Sequence, residues 1–178
     1  MTQQLLAICL DCGDTLIDEG TEVKDEWGVA WQGELIPTAA ELVCELKRRG
    51  YKLALVADGP CGTFQNLLTM HNLYHHFDAL AISELVGVEK PDPRMFCHAL
   101  DQLKIGREDY HRTVMVGNNL ARDIKGANAL GMVSVWLDWA PRRSKIPADP
   151  SEMPQYIIKS PLELLAVIEK LEEAGWPR

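Results

Sequence analysis

Four short segments gather the residue types that could act on a charged substrate. Leu10-Asp11-Cys12-Gly13-Asp14-Thr15-Leu16 sets a carboxylate at the carboxyl end of an apolar run and follows it with small residues. A nucleophile or a metal ligand fits there, although a lone acid at a strand end is also a common turn cap. A second run ends in Ala57-Asp58-Gly59, a third is followed by Glu89-Lys90-Pro91-Asp92-Pro93, and a fourth ends in Val116-Gly117-Asn118-Asn119 with Asp123 close behind. Lys90 precedes a helix that Pro93 suits in its first turn. Strand ends would then deliver acids, an amide and one cation to a single crevice.

The elements that must position these residues are legible as an alternation. Short β-type runs at Leu5–Leu10, Lys52–Ala57, Ala79–Ile82, Thr113–Val116, Val133–Leu137 and Tyr156–Ile158 are separated by helical patterns. The clearest helix is Thr38–Arg49, where Ala39, Leu42, Val43 and Leu46 repeat at helical spacing before Gly50; others are expected near Thr63–Asn72, Pro93–Leu103, Leu120–Leu130 and Leu162–Glu173. This pattern predicts an α/β fold, a doubly wound and mainly parallel sheet with helices on both faces, as one domain over residues 1–178. Two stretches break the alternation. Residues 18–35 carry acids, three glycines and two tryptophans and read as a flap, a loop or short hairpin beside the first strand end. Residues 138–155 hold four prolines and read as an irregular loop. Segments leaving the carboxyl ends of parallel strands line the ligand crevice, so both are candidate specificity elements. Trp27, Trp31, Trp136 and Trp139 are expected to fill local packing within and beside them.

With these motifs in order, the chain from Leu5 to about Leu171 resembles the haloacid dehalogenase-like (HAD) hydrolases, most of which are phosphatases. The resemblance is strongest in Val88-Glu89-Lys90-Pro91-Asp92-Pro93-Arg94-Met95-Phe96, in Met115-Val116-Gly117-Asn118, and from Asp123 to Met132. It implies a HAD-like Rossmannoid core with Asp11 as the nucleophile that forms an aspartyl-phosphate, and Lys90 as the cation beside nucleophile and phosphate. Thr15 matches the threonine of the first motif. The family's general acid–base stands two residues after the nucleophile, where this chain has Gly13, so acid–base catalysis is expected to be impaired. Asp14 is a poor replacement because successive extended residues point in opposite directions. At the phosphate-binding position of the second motif Ala57 replaces a hydroxyl residue, with Asp58 next to it. The resemblance implies Mg²⁺ held by Asp11, the Gly13 carbonyl, Asn118 and, through water, Asp123, and held weakly because Asn118 replaces an acid. The gaps between motifs are short, so no cap domain is expected.

Composition narrows the functions further. The chain has 178 residues, 18 Lys+Arg against 26 Asp+Glu, and a formal charge of −8, which opposes nucleic acid binding. Lys47-Arg48-Arg49 fits the last turn of a helix and Arg142-Arg143 a solvated loop. No apolar run approaches the roughly 20 residues of a membrane span, no signal peptide is expected, and five scattered cysteines suit free thiols in the cytoplasm. Cys9 and Cys12 should point to opposite faces of a strand, and His71, His75 and His76 read as solvent-exposed. The expected partner is a small phosphorylated molecule, and an open site leaves two candidate covers, a second subunit of a homo-oligomer or a macromolecular substrate. Two readings follow: a HAD-type phosphohydrolase of low or specialised activity, and a binding or regulatory protein that keeps the fold without turnover.

Overall fold

The computed structural model describes residues 4–174. Its first strand, β1 (Ala7–Leu10), is apolar and wholly buried, as a strand covered on both faces must be. It pairs in parallel with β4 (Lys52–Ala57) on one side and β6 (Thr113–Gly117) on the other. Together with β5 (Ala79–Ile82), β7 (Val133–Leu137) and β8 (Tyr156–Ile158) they form a six-stranded parallel sheet in the order β5-β4-β1-β6-β7-β8. The chain runs outward from β1 through β4 to β5 and then returns to β6. This reversal opens a crevice at the carboxyl ends of β1, β4 and β6, where a doubly wound sheet binds its ligands.

Alternate residues of each strand feed two cores. Ile8 and Leu10 pack with Leu42, Val43 and Leu46 of α1 (Ala39–Arg48), Leu67 and Leu68 of α2 (Cys61–Met70) and Leu164 and Ile168 of α6 (Leu164–Ala174). On the opposite face Ala7 and Cys9 pack with Met95, Phe96 and Ala99 of α4 (Pro93–Gln102) and Ala127 of α5 (Lys125–Ala129). Cys9 and Cys12 fall in different cores, both as free thiols, and burial pushes the Cys9 thiol up to about 12. Small residues on the α4 and α5 side let those helices approach closely.

Where the chain departs from its sequence pattern, the reason is local. Residues 18–35 are more than a loop: β2 (Ile17–Lys24) and β3 (Ala30–Leu35) form an antiparallel hairpin docked on α2. The Ala30 amide donates to Thr63 Oγ1 at 2.9 Å, and Asn66 Nδ2 donates to the Ala30 carbonyl at 3.1 Å. His71 also reaches this hairpin, its Nε2 lying 2.7 Å from the Gly33 carbonyl, so it is not simply solvated. Trp27 and Trp31 do not fill packing; they are 78% and 54% exposed. A short helix, α3 (Ser83–Val86), escapes the periodicity because four residues carry too little pattern. The helix expected from Leu120 begins as one π-helical turn, Leu120–Ile124, before α5.

Between β1 and β4 the chain inserts only the hairpin and α1, and between β4 and Lys90 only α2, a 3₁₀ turn, β5 and α3. No helix among the described residues is long and apolar enough to cross a membrane.

Gly126 is where α5 meets α4. A Cβ there would lie 2.3 Å from two carbons of the fully buried Phe96 ring. Gly126→Ala should therefore destabilise by about 1–3 kcal/mol through overpacking, overriding the roughly 1 kcal/mol that alanine gains in a helix interior. Urea unfolding measures it; an unchanged or raised midpoint would refute the close approach.

Candidate active site

Parallel strands present their carboxyl ends together, so the residues just past β1, β4 and β6 converge. Asp11, Asp58 and Asn118 occupy those positions and line one cleft with Gly13, Lys90, Asp123 and Arg122. The cleft holds about 210 Å³, room for a phosphoryl group and a few further heavy atoms.

At its floor Lys90 is 4% exposed, and its ammonium has three acceptors. Nζ lies 2.8 Å from Asp11 Oδ1, 2.7 Å from Asp123 Oδ1 and 2.8 Å from the Val56 carbonyl. Burial works against the charge, but Asp11, Asp123 and Asp58 outweigh it and hold the ammonium above the ordinary lysine range. Asp123 is pushed up by burial and then by Asp11, while Lys90 pulls it down. Its second oxygen, Oδ2, accepts from the Asn119 amide at 2.9 Å, so both of its oxygens are occupied. Asp58 is engaged as well: Oδ1 accepts from the Lys90 amide and Oδ2 from Arg122, each at 3.0 Å. It fixes the Lys90 backbone and the Arg122 guanidinium rather than standing free as an acid. Ala57 is fully buried within the core and brings no polar side-chain atom to the cleft.

Asn118 is held by its backbone, whose carbonyl accepts from Trp136 Nε1 at 2.9 Å. Its Nδ2 faces three oxygens: Asp11 Oδ2 at 3.0 Å, the Gly13 carbonyl at 2.5 Å and Thr15 Oγ1 at 3.3 Å. The Thr15 hydroxyl, behind Asp11, lies 3.3 Å from the same Oδ2. Asn118 Oδ1, by contrast, is buried with no partner among the described residues. Turning the amide about its last bond exchanges oxygen for nitrogen and aims Oδ1 into the space shared by Asp11 and the Gly13 carbonyl. Three oxygens, one of them anionic, suit a hard divalent cation such as Mg²⁺. Among the described residues no three His, Cys, Asp or Glu side chains group as a metal cluster. Asp123 Oδ1 accepts from Lys90 Nζ at the floor of the same cleft.

The remaining wall is the hairpin. Arg142 and Arg143 lie in the expected loop with part of each side chain in solvent, but both are paired: Arg142 with the buried Asp14 and with Asp18, and Arg143 Nη2 donating to Glu19 Oε2 at 2.6 Å. The irregular 138–155 segment therefore clamps the hairpin over the cleft. Asp14 stands at φ 52°, accepts from the Glu19 amide at 3.1 Å and is absent from the cleft lining. Glu19, Arg122 and Arg143 line the cleft although no sequence motif singled them out. Burial pushes the Glu19 carboxyl above the usual range, Arg143 opposing. Their only signal was membership of the two segments that broke the alternation, or proximity to Asp123.

Comparison with known proteins agrees with this geometry. A family model described as haloacid dehalogenase-like hydrolase matches residues 15–131. The glyceraldehyde 3-phosphate phosphatase of Methanopyrus kandleri is 34% identical over 138 residues, 78% of this chain and 56% of that protein. The phosphoserine phosphatase of Thermus thermophilus is 38% identical over 120 residues, 67% of this chain and 45% of that protein. The chain thus spans about half the length of the curated relatives it matches. Among solved structures, a HAD phosphatase from Thermococcus onnurineus superposes with a TM-score of 0.66 at 27% identity, covering 78% of this chain and 60% of that one. A predicted phosphoglycolate phosphatase from Haemophilus somnus shares the fold with a TM-score of 0.77 at 17% identity, covering 94% and 99%. The matched span, the strand order and the ordered motifs agree: the chain belongs to the haloacid dehalogenase-like hydrolases.

Proposed function

We propose that this chain is a Mg²⁺-dependent phosphatase of small phosphorylated molecules, acting through an aspartyl-phosphate on Asp11. The observation that carries the reading is the preset nucleophile: Asp11 stands at the cleft with Oδ1 fixed by Lys90 and Oδ2 by Asn118. A nucleophile oriented before the substrate arrives needs little reorganisation in the transition state. The relatives named for glyceraldehyde 3-phosphate and phosphoserine support a compact phosphorylated substrate, as does the cleft volume.

In the reaction an Asp11 oxygen attacks phosphorus, the bond from phosphorus to the leaving oxygen breaks, and the electron pair departs with that oxygen. Water then attacks the aspartyl-phosphate and returns the pair to Asp11. Lys90 keeps Asp11 aimed and places a positive charge beside the developing negative one. Arg122, 43% exposed by its side chain and braced by Asp58, faces the cleft as a docking cation for the substrate. Mg²⁺, held by Asp11, the Gly13 carbonyl and Asn118 Oδ1, would offset further phosphoryl charge. Gly13 supplies no proton, so esters with good leaving groups should be the easier substrates. A cytoplasmic setting is part of this proposal.

The competing reading, a binding protein without turnover, draws on the buried Ala57, which gives the phosphate no hydroxyl. Asp11→Asn separates the two. It should lower Mg²⁺-dependent hydrolysis of an aryl phosphate by about 10³-fold or more if Asp11 is the nucleophile; equal residual rates in both proteins would favour the binding role.

Asn118→Asp should tighten Mg²⁺ binding about tenfold in calorimetry, because it adds an anionic ligand to the carbonyl and Asp11. Unchanged affinity would move the cation away from this set. Lys90→Met should destabilise the metal-free protein by about 3–5 kcal/mol, since two buried carboxylates lose their shared counter-charge. In that variant Asp123, pushed up by burial and no longer pulled down by Lys90, holds its proton more tightly folded than unfolded, so stability should rise as pH falls from 8 toward about 5.5. Denaturant titrations in chelator at both pH values check the magnitude and the sign.

A further inference from the structure

The nucleophile has no acid two residues on, yet the space is not empty. A Cβ built on Gly13 would lie 2.2 Å from Glu19 Oε1, and 2.9 Å from both Cδ and Cγ of the same side chain. In an aspartate the carboxyl oxygens sit about 2.4 Å from their own Cβ, a figure fixed by bond lengths and angles. Glu19 Oε1 therefore lies against Gly13, about as far from a Cβ there as an aspartate's own carboxyl oxygens would be, and only the missing side chain lets it come so close.

We infer that Glu19 is the general acid and base of this site, reaching from the hairpin into the place left by Gly13. The inference rests on the aspartyl-phosphate reading above and adds the proton carrier that reading lacks.

Several features hold Glu19 in position. The pairing of β2 with β3 slips between Asp18 and Val23, where five steps along β2 correspond to two along β3, so residues 19–22 bulge out of the ladder. Such bulges redirect side chains beside active sites. The Thr21 hydroxyl pins this one, donating to the Asp18 carbonyl at 2.7 Å and accepting from the Glu34 amide at 2.8 Å. The Glu19 amide donates to buried Asp14, which Arg142 neutralises, so Asp14 serves as an anchor for the acid. Arg143 takes Oε2 and leaves Oε1 toward Gly13 and the cleft. Glu19, Asp11 and Gly13 line the same cleft.

The chemistry balances within the site. As Asp11 attacks phosphorus and the ester bond breaks, the leaving oxygen takes the electron pair and the proton from Glu19 Oε1, departing as the alcohol. The Glu19 carboxylate then takes a proton from water as the water oxygen attacks phosphorus. The bond from phosphorus to Asp11 breaks, Asp11 recovers its pair, inorganic phosphate leaves, and Glu19 is protonated again.

The test uses the full chain with Mg²⁺, an alkyl phosphate and an aryl phosphate. Glu19→Gln should lower kcat on the alkyl ester about 10²–10⁴-fold. On the aryl ester it should still release one phenol per site in a burst, because that leaving group needs no proton, and then stall with phosphoenzyme on Asp11. Acid quench followed by intact mass should show one added phosphoryl group. The double variant Gly13→Asp/Glu19→Ala should recover alkyl-ester turnover to within about tenfold of the starting protein, while Glu19→Ala alone should not. This pair decides the matter even if Glu19→Gln folds poorly, which a urea midpoint reveals. Equal slowing of both esters without a burst, or no rescue by the double variant, overturns Glu19 while leaving Asp11 in place. No Asp11-dependent phosphate release from either ester in the unaltered protein overturns the phosphatase reading and Glu19 with it.

Discussion

A single buried ammonium constrains this molecule. Lys90 Nζ has three donor hydrogens and three acceptors, each from a different part of the chain: Asp11 after β1, the Val56 carbonyl within β4, and Asp123 in the π-helical turn after β6. A buried charge is tolerated only when it is paired and its hydrogen bonds are satisfied. The three acceptors meet only if β4, β1 and β6 are neighbours in parallel register with their carboxyl ends level. The sheet order that places β1 centrally satisfies that condition, and the reversal of chain direction on either side of it opens the cleft directly above the lysine.

Around this pair the surrounding charges are arranged to hold geometry rather than to accumulate. Asp58 fixes the Lys90 backbone on one side and Arg122 on the other, so its carboxylate orients two cations at once. Asp14, fully buried, ties Arg142 to the Glu19 amide and so joins the first motif to the hairpin and the hairpin to the late irregular segment. The cleft wall is assembled from stretches more than a hundred residues apart in sequence, joined by charged hydrogen bonds.

The sheet was legible because it repeats. Every strand of the parallel sheet lies in an apolar run, and the helices of α1 and α4 show clear apolar faces, so periodicity and strand-end chemistry located Asp11, Asp58, Lys90, Asn118 and Asp123 in one crevice. What escaped depends on contacts that carry no local pattern. Arg142 and Arg143 look like any solvated pair until the fold brings Asp14, Asp18 and Glu19 to them. The exposed Trp27 and Trp31 defied the rule that large rings seek packing, because the hairpin docks through Ala30 and Gly33 instead. Glu19 sits in a bulge, and a bulge breaks the very alternation by which a strand's faces are read.

Gly13, Ala57 and Asn118 stand where the resemblance leads us to expect chemically active residue types, and their physical consequences differ. Ala57 is sealed in the core and brings no polar side-chain atom to the cleft. Asn118 exchanges an anion for an amide whose Nδ2 donates to Asp11 and to the Gly13 carbonyl. An aspartate there would repel Asp11 until a cation arrived, whereas the amide closes the site by itself. A cation bound there would have to displace these internal hydrogen bonds, while Asp11 is already held by Lys90 and Asn118 without one. Gly13 removes a side chain and thereby admits another, since only a residue without Cβ allows Glu19 Oε1 to come so close. At two of the three positions an atom of this chain takes up what the residue leaves: Asn118 Nδ2 holds Asp11, and Glu19 Oε1 lies in the space beside Gly13.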